Sequence, residues 1–181
     1  MFFSSTDSTY IAIIGDIKNS RDIKNRKLAQ EMMAAVLEKL NEKYEQDIAA
    51  RFMITLGDEF QGLLSHGRNI LCMISEVEKA MYPIKIRFGV GVGTITTDIN
   101  PDMAIGADGP GFYYARAAIT YLKQNEKKSQ ISVGNIRLET GKEDQGVLVL
   151  MNTILSLLAV IKEKWSERQR EVIEDMLANP D

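Results

Sequence analysis

Two aspartates lie at the ends of segments that predict β-strands. Asp16 follows the run 10–15, Tyr-Ile-Ala-Ile-Ile-Gly, which is typical of a strand buried on both faces. Asp58 lies in a Gly-Asp turn between two runs of strand composition, which predicts a tight hairpin with Asp58 at its tip. Two adjacent carboxylates repel each other unless a cation lies between them, and a divalent ion that prefers oxygen suits that position. The pair therefore predicts a Mg²⁺ or Mn²⁺ site that recruits phosphate oxygens, although each aspartate alone is also a common turn or helix-capping residue.

The surrounding patterns predict elements that bring these aspartates together. After the first strand they indicate helices over 21–46, 69–81, 112–124, 147–161 and 167–177, strands over 50–55, 60–64, 84–95 and 130–133, and loops over 96–111 and 138–146. The first six elements follow the order β-α-β-β-α-β of ferredoxin-like folds, in which the first strand and the hairpin are central neighbours. We therefore predict an α+β, ferredoxin-like sandwich with a mainly antiparallel sheet, helices on one side, and additional C-terminal helices.

Glycines mark two further places. Gly89, Gly91 and Gly93 alternate along one strand, so they share one face and allow another group to approach the backbone closely. Gly106, Gly109 and Gly111 precede the helix over 112–124, and free N–H groups there could cradle an anion, with an ordinary loop as the alternative.

Two charged residues flank the aspartates. Arg21 could reach a triphosphate bound at the metal, or it could belong to a solvated helix face. Glu59 is a candidate general base or further metal ligand, or simply a polar residue of the hairpin. The glycines and Arg21 form the predicted cofactor-binding set, and Asp16 and Asp58 form the predicted metal set.

Four stretches resemble class III nucleotidyl cyclases and occur in the same order. They are 15–20 (Gly-Asp-Ile-Lys-Asn-Ser), 57–60 (Gly-Asp-Glu-Phe, which is also similar to the end of the GGDEF motif of diguanylate cyclases), 87–93 (Arg-Phe-Gly-Val-Gly-Val-Gly) and 115–118 (Ala-Arg-Ala-Ala). The resemblance covers residues 8–134 and implies a cyclase-like palm, metal-binding aspartates and an Arg116 that contacts phosphate. It also implies a homodimer, because class III cyclases build their site between two protomers.

The whole chain is similar to the SatD family through the runs 13–21, 55–63 and 105–110. That resemblance implies the fold and the candidate site without implying a reaction. Ile54 and Phe112 stand where cyclases that use ATP carry a lysine that reads adenine and an asparagine. The resemblance therefore implies a chain that binds a nucleoside triphosphate with metal and turns it over slowly or not at all, so whether it is an enzyme stays open.

Composition limits the alternatives. The 181 residues predict a palm-like domain over 8–146 followed by C-terminal helices over 147–181. One cysteine and one histidine exclude an intrachain disulfide, a zinc site with several thiolates and a histidine-rich metal site. No run of 18 apolar residues occurs and the first residues lack the pattern of a secretory signal, so we expect a cytoplasmic protein with no membrane contact.

The segment 165–173 looks like the opening helix of a sigma-factor-like helix-turn-helix, with Ser166 as its N-cap. No recognition helix follows before Asp181, so DNA binding would need a further C-terminal segment. Three functions therefore stay open: a metal-dependent nucleotide-binding domain that is degenerate or regulatory, the signal-receiving domain of a DNA-binding regulator, and a non-catalytic domain that binds a partner.

Overall fold

The structure, a computed structural model, describes residues 9–128, 134–141 and 145–178. Its strands are β1 (Thr9–Ile17), β2 (Ile48–Leu56), β3 (Glu59–Leu64), β4 (Ile86–Thr94) and β5 (Ile136–Thr140). Its α-helices are α1 (Arg26–Lys43), α2 (Ile70–Met81), α3 (Pro110–Lys128), α4 (Gln145–Glu163) and α5 (Glu167–Ala178), and a 3-10 turn covers Ser20–Asp22.

The sheet has five strands in the order β2-β3-β1-β4-β5. The central strand β1 pairs antiparallel with both β3 and β4, and β5 extends the sheet parallel to β4. The first four strands have the spatial order of a ferredoxin-like fold, so the predicted α+β class is confirmed. The buried apolar run of β1 and the hairpin turn at residues 57–58 also agree with the prediction.

Helices cover both faces of the sheet. On one face, Ile13 and Ile17 belong to a core formed with α1 and α2. On the other face, Ala12 and Ile14 lie in a core with residues of α3. The prediction of helices on one side therefore holds for α1 and α2, whereas α3 packs on the opposite face.

The glycine row of β4 explains why α3 can lie on that face. A Cβ atom added at Gly91 would be 2.0 Å from the carbonyl oxygen of Gly111 and 2.3 Å from the amide nitrogen of Ala115, both in α3. The predicted close approach to the glycine face is thus made by the backbone of α3. Only a strand without side chains leaves this space.

Some element boundaries differ from the prediction. Helix α1 begins at Arg26 rather than at Arg21, because Asn19 adopts a left-handed conformation (φ 51°) and the side chain of Asn25 caps the helix by accepting from Leu28 N. Residues 138–140, predicted as loop, belong to β5. The predicted strand over 130–133 lies outside the described residues.

Helix α4 packs against the edge strand β5. The Asn152 side chain accepts from Leu138 N (2.8 Å) and donates to Leu138 O (2.9 Å), so it satisfies backbone groups at the sheet edge. Leu148 and Leu155 are its buried apolar residues. By length and composition alone, α4 could also cross a membrane, although Asn152, Thr153 and Ser156 interrupt its apolar run.

Helix α5 begins after the predicted cap. The Ser166 hydroxyl accepts from Gln169 N, and the Gln169 side chain accepts from Ser166 N, which together form a capping box. The helix-turn-helix role of this segment stays a prediction.

Candidate functional site

Three charged residues form a row across the centre of the sheet on the face covered by α3. Asp16 of β1 lies opposite Glu59 in the β1–β3 register and opposite Arg87 in the β1–β4 register. The three residues are only 5 %, 5 % and 8 % exposed, respectively. Burial of an unpaired charge to this degree destabilises the folded state. The residues that pair with this row therefore determine what chemistry its side chains can perform.

Asp16 has two cationic partners. Arg87 Nη1 donates to Asp16 Oδ2 at 2.6 Å, and Lys123 Nζ of α3 lies 2.6 Å from Asp16 Oδ1. Both oxygens of this carboxylate are therefore occupied by positive groups. These two cationic side chains already offset the repulsion that a second carboxylate near Asp16 would cause, so no metal ion is needed for that purpose.

Arg87 joins Asp16 to a second acid. Its Nη2 and Nε donate to Glu126 Oε2 of α3 at 2.5 and 2.9 Å, and Lys18 Nζ lies 2.5 Å from Glu126 Oε1. Burial alone would raise the pKa of Glu126, but the hydrogen bonds from Arg87 and Lys18 outweigh it and the pKa is lowered. Glu126 therefore stays ionised and fixes the C-terminal part of α3 to the sheet.

Glu59 and Arg116, the two predicted catalytic residues, bind each other. Arg116 donates through Nη1 and Nη2 to the two carboxylate oxygens of Glu59 at 2.5 and 2.8 Å. The hydrogen bond to Glu59 raises the pKa of Arg116 further above its ordinary value. The Glu59 side chain is 7 % exposed and that of Arg116 is 49 % exposed. A contact between Arg116 and a phosphate would therefore require Arg116 to leave a buried carboxylate.

Asp16 and Asp58 line one open cleft of about 450 Å³, as the sequence predicted that they would lie close together. Ile17 N donates to the carbonyl oxygen of Asp58 at 2.9 Å, which ties the hairpin turn to the end of β1. The Ser20 hydroxyl donates to Asp58 Oδ2 at 2.6 Å. Among the described residues, no lysine or arginine forms an ion pair with Asp58. Unlike Asp16, Asp58 can therefore accept an added cation without displacing a lysine or arginine.

Arg21 and Lys123 also line the cleft and supply positive charge beside the two aspartates. Arg21 belongs to the 3-10 turn that follows β1, not to α1 as predicted. The cleft thus offers carboxylate oxygens and cationic side chains at the same mouth. Phosphate groups that carry a divalent ion need both kinds of partner.

The three glycines around the start of α3 lie at the other end of the sheet. A Cβ atom at Gly109 would be 2.7 Å from Thr94 O, and one at Gly111 would be 3.4 Å from Gly93 O, at the C-terminal end of β4. Asp16 instead pairs with Arg87 at the N-terminal end of β4, about 23 Å away at the rise of a strand. The predicted grouping of Gly106, Gly109 and Gly111 with Arg21 in one cofactor site is therefore not what the fold provides.

Sequence reasoning missed three members of the charge network, namely Lys18, Lys123 and Glu126. A signal was present for two of them, because Arg116, Lys123 and Glu126 follow one another at spacings of seven and three and so share one face of a helix. Arg87, which the sequence placed beside the glycine row, pairs with two acids, Asp16 and Glu126.

The oxygen donors of the cleft limit what kind of metal site could form. No group of three or more His, Cys, Asp and Glu side chains within residues 9–128, 134–141 and 145–178 is arranged to hold a metal ion. The cleft is lined by four carboxylates, of which Asp16 and Glu126 are already paired with cationic side chains. Such a set suits an ion such as Mg²⁺, which takes one or two carboxylates and completes its coordination with water and substrate oxygens. A purely protein-held metal centre does not fit this donor set.

Several solved structures have a similar arrangement of strands and helices. The guanylate cyclase domain of RhGC from Catenaria anguillulae in complex with GTP is 14 % identical, with a TM-score of 0.44 over 61 % of this chain and 71 % of that one. A dimeric guanylyl cyclase domain of RhoGC from Blastocladiella emersonii is 20 % identical, with a TM-score of 0.39 over 60 % of this chain and 72 % of that one. With identities and TM-scores this low, nothing about the activity of this chain follows from them.

No curated protein matches the chain. A family model, in contrast, matches nearly all of it, from residue 10 to residue 180. The match includes the aspartates of the cleft, the charge network under α3 and both C-terminal helices. The chain belongs to the SatD family.

Proposed function

We propose that this protein binds a nucleoside triphosphate together with Mg²⁺ or Mn²⁺ in the cleft between the end of β1, the β2–β3 turn and the C-terminal half of α3. The observation that carries the proposal is that Asp16 and Asp58 line this cleft together with Arg21 and Lys123. In all, four carboxylates and three cationic side chains line the cleft, so it offers both kinds of charge that a metal–triphosphate complex needs.

Asp16 and Asp58 would hold the cation, whose charge would offset that of the phosphate oxygens. Asp58 has no ion-pair partner among the described residues, so an added cation meets no competing lysine or arginine there. Asp16 is already neutralised by Arg87 and Lys123. We therefore expect the metal to bind weakly alone and more tightly with the triphosphate, which supplies the remaining oxygens and a partner for Lys123.

The structure also supports slow or absent turnover. Phe112, in the position where the cyclase resemblance implies an asparagine, is 7 % exposed and packs in the core beneath α3. Ile54, in the position of the adenine-reading lysine, packs against the core on the other face of the sheet. Neither side chain can position a base or a ribose, and positioning contributes much of the rate of such reactions. These two positions support a regulatory or degenerate nucleotide site.

Thermal unfolding of the full chain with Mn²⁺ and each nucleoside triphosphate tests the proposal. We expect the midpoint to rise when metal and triphosphate are both present and to change little with either alone, because a ligand that binds only the folded state stabilises it. Asp58→Asn should abolish this rise. Asp58 is preferred to Asp16 for the test because Asp16→Asn would also leave Arg87 and Lys123 without their partner.

Asp102→Asn is the matched control, because Asp102 is an exposed aspartate of the loop between β4 and α3 and does not line the cleft. It should keep the full rise. A smaller loss is expected for Arg116→Ala, since Arg116 reaches a ligand only by leaving Glu59. Absence of any rise with millimolar triphosphate and metal would refute binding, and robust production of cyclic AMP with Mn²⁺ would refute the slow-turnover half of the proposal.

A further inference from the structure

The outward face of α4 exposes an apolar surface that β5 does not cover. Leu148, Asn152 and Leu155 face the protein and hold the helix against β5. The opposite side exposes eight large aliphatic residues, each at least 37 % exposed: Val147, Val149, Leu150, Met151, Ile154, Leu157, Leu158 and Ile161. A single exposed leucine needs no explanation, but a continuous apolar helix face marks an interaction surface.

The spacing of these residues identifies the kind of partner. Val147, Ile154 and Ile161 recur every seven residues, and Leu150 and Leu157 follow the first two of them by three. These are the a and d positions of a heptad repeat, with a β-branched residue at every a and leucine at both d positions. Within parallel coiled coils, this distribution favours two helices over three or four. All five residues are 43–59 % exposed, so the seam is available.

The seam is also complementary to itself. A two-fold interface brings each residue against the same surface of the other copy, so any charge in it would face a like charge. No charged residue occurs from Val147 to Ile161, and Lys162, which follows, is engaged with Glu78 of α2. A helix that lies on a membrane surface instead carries many lysines and arginines on its polar face, which α4 lacks.

We propose that α4 pairs in parallel with α4 of a second copy of this chain, through a two-stranded seam formed by Val147, Leu150, Ile154, Leu157 and Ile161. The proposal is independent of the nucleotide site, which lies under α3. Eight aliphatic residues a side are fewer than the roughly 20–30 residues that each partner of a standard interface contributes. The dimer should therefore dissociate on dilution.

The molar mass of the full chain in solution, measured over a concentration series by sedimentation or light scattering, tests the proposal. We expect the wild type to approach twice the monomer mass at high concentration. The double variant Leu150→Glu/Leu157→Glu should remain monomeric, since it places like charges against each other at both d positions. These side chains are exposed, so circular dichroism should show an unchanged fold.

Val149→Glu is the matched control, because Val149 is the most exposed of the eight and lies at a c position outside the seam. It should dimerise as the wild type does. A wild type that stays monomeric at every concentration would overturn the proposal, whether or not it binds lipid vesicles. So would a double variant that dimerises like the wild type.

Disulfide trapping tests the direction of the pair. Cys72 is the chain's single cysteine and is exposed, so Cys72→Ser provides a background without thiols. In a parallel pair, Val147→Cys in that background meets its own copy and should form an intermolecular disulfide. An antiparallel pair centred on Ile154 would separate the two copies of residue 147 by about 21 Å. Trapping through Ile154→Cys but not through Val147→Cys would overturn the parallel arrangement.

Discussion

Along its first half, α3 lies so close to β4 that only glycine fits beneath it, whereas along its second half charged side chains fill the same space. At Gly91 the backbones of helix and strand meet directly. At Asp16 and Arg87, two side chains from the sheet meet Lys123 and Glu126 from the helix. One helix is thus held to one face of one sheet by shape at one end and by charge at the other.

The difference separates a rigid end from an adaptable one. Where the two backbones are in contact there is no space for a larger side chain, because packed protein interiors have few voids and even a small added volume destabilises them. Ion pairs at the edge of an open cleft can exchange partners when a ligand brings its own charge. The charged end can therefore adjust to a ligand, whereas the glycine end fixes the position of the helix on the sheet.

The largest effect is expected at the rigid end. Gly91→Ala places a Cβ atom 2.0 Å from Gly111 O, so α3 must move as a whole, and we expect a loss of more than about 4 kcal/mol in the free energy of unfolding, a size rarely reached by one substitution. At Gly67, an added Cβ would meet only the end of the flexible Ile11 side chain at 2.8 Å. Urea unfolding midpoints of Gly91→Ala and Gly67→Ala measure the contrast, and similar midpoints would contradict the close packing.

A smaller but still large loss is expected at the charged end. Arg87→Met keeps the apolar stem of the side chain but removes one partner from Asp16 and one from Glu126. Removal of one partner from a buried ion pair typically costs about 3 kcal/mol or more, so we expect a loss near 3 kcal/mol in the free energy of unfolding.

Arg51→Met is the control for Arg87→Met. Arg51 pairs with Glu38 at the surface, where both side chains are at least 43 % exposed. A pair of that kind contributes roughly 0–1 kcal/mol. Equal losses for the two variants in chemical unfolding would show that the Arg87 network does not hold α3.

The smallest expected effect is a change in how the free energy of unfolding depends on pH. Because the pKa of Glu126 is lowered from its ordinary value of 4.5 in the folded protein, Glu126 contributes stability that is fully present above pH 4.5 and is lost as the pH falls through its folded pKa. Glu126→Gln should therefore be less stable than the wild type near neutral pH, and the difference should shrink below pH 4.5.

Free energies of unfolding measured from neutral pH downwards check this expectation. Glu31→Gln is the control, because Glu31 forms an exposed pair with Lys27 at 3.8 Å and should give nearly the wild-type curve. A difference between Glu126→Gln and wild type that stays constant from pH 7 to pH 3 would contradict the role of Glu126.

The parts that sequence predicted depend on local patterns. The apolar run of β1, the Gly-Asp hairpin and the glycine row of β4 each have a short signature, and together they predicted the ferredoxin-like order, which places Asp16 and Asp58 in one cleft. The strand at 138–140 was missed because Asn152, twelve or more residues away, supplies the hydrogen bonds of its outer edge. Local composition does not contain that partner.

The charge network was missed for a similar reason. Asp16 and Arg87 are 71 positions apart, and Asp16 and Lys123 are 107 apart, so their pairing depends on strand register and on the face that α3 covers. The two-residue periodicity of a strand predicts on which face of the sheet Gly91 lies, but it does not predict which element covers that face. The metal role of Asp58, the catalytic role of Glu59 and the phosphate role of Arg116 stay predictions.

The row of Glu59, Asp16 and Arg87 has a consequence for how the sequence can diverge. With Arg116, Lys123, Glu126 and Lys18 around it, the row belongs to a network of three acids and four bases in which every acid has at least one basic partner. Loss of one member leaves a buried residue of opposite charge without its partner, which destabilises the folded protein. A compensating change nearby removes that destabilisation. Across SatD sequences, these positions should therefore covary in oppositely charged pairs, position 16 with 87 or 123 and position 59 with 116, each pair being replaced or reversed together.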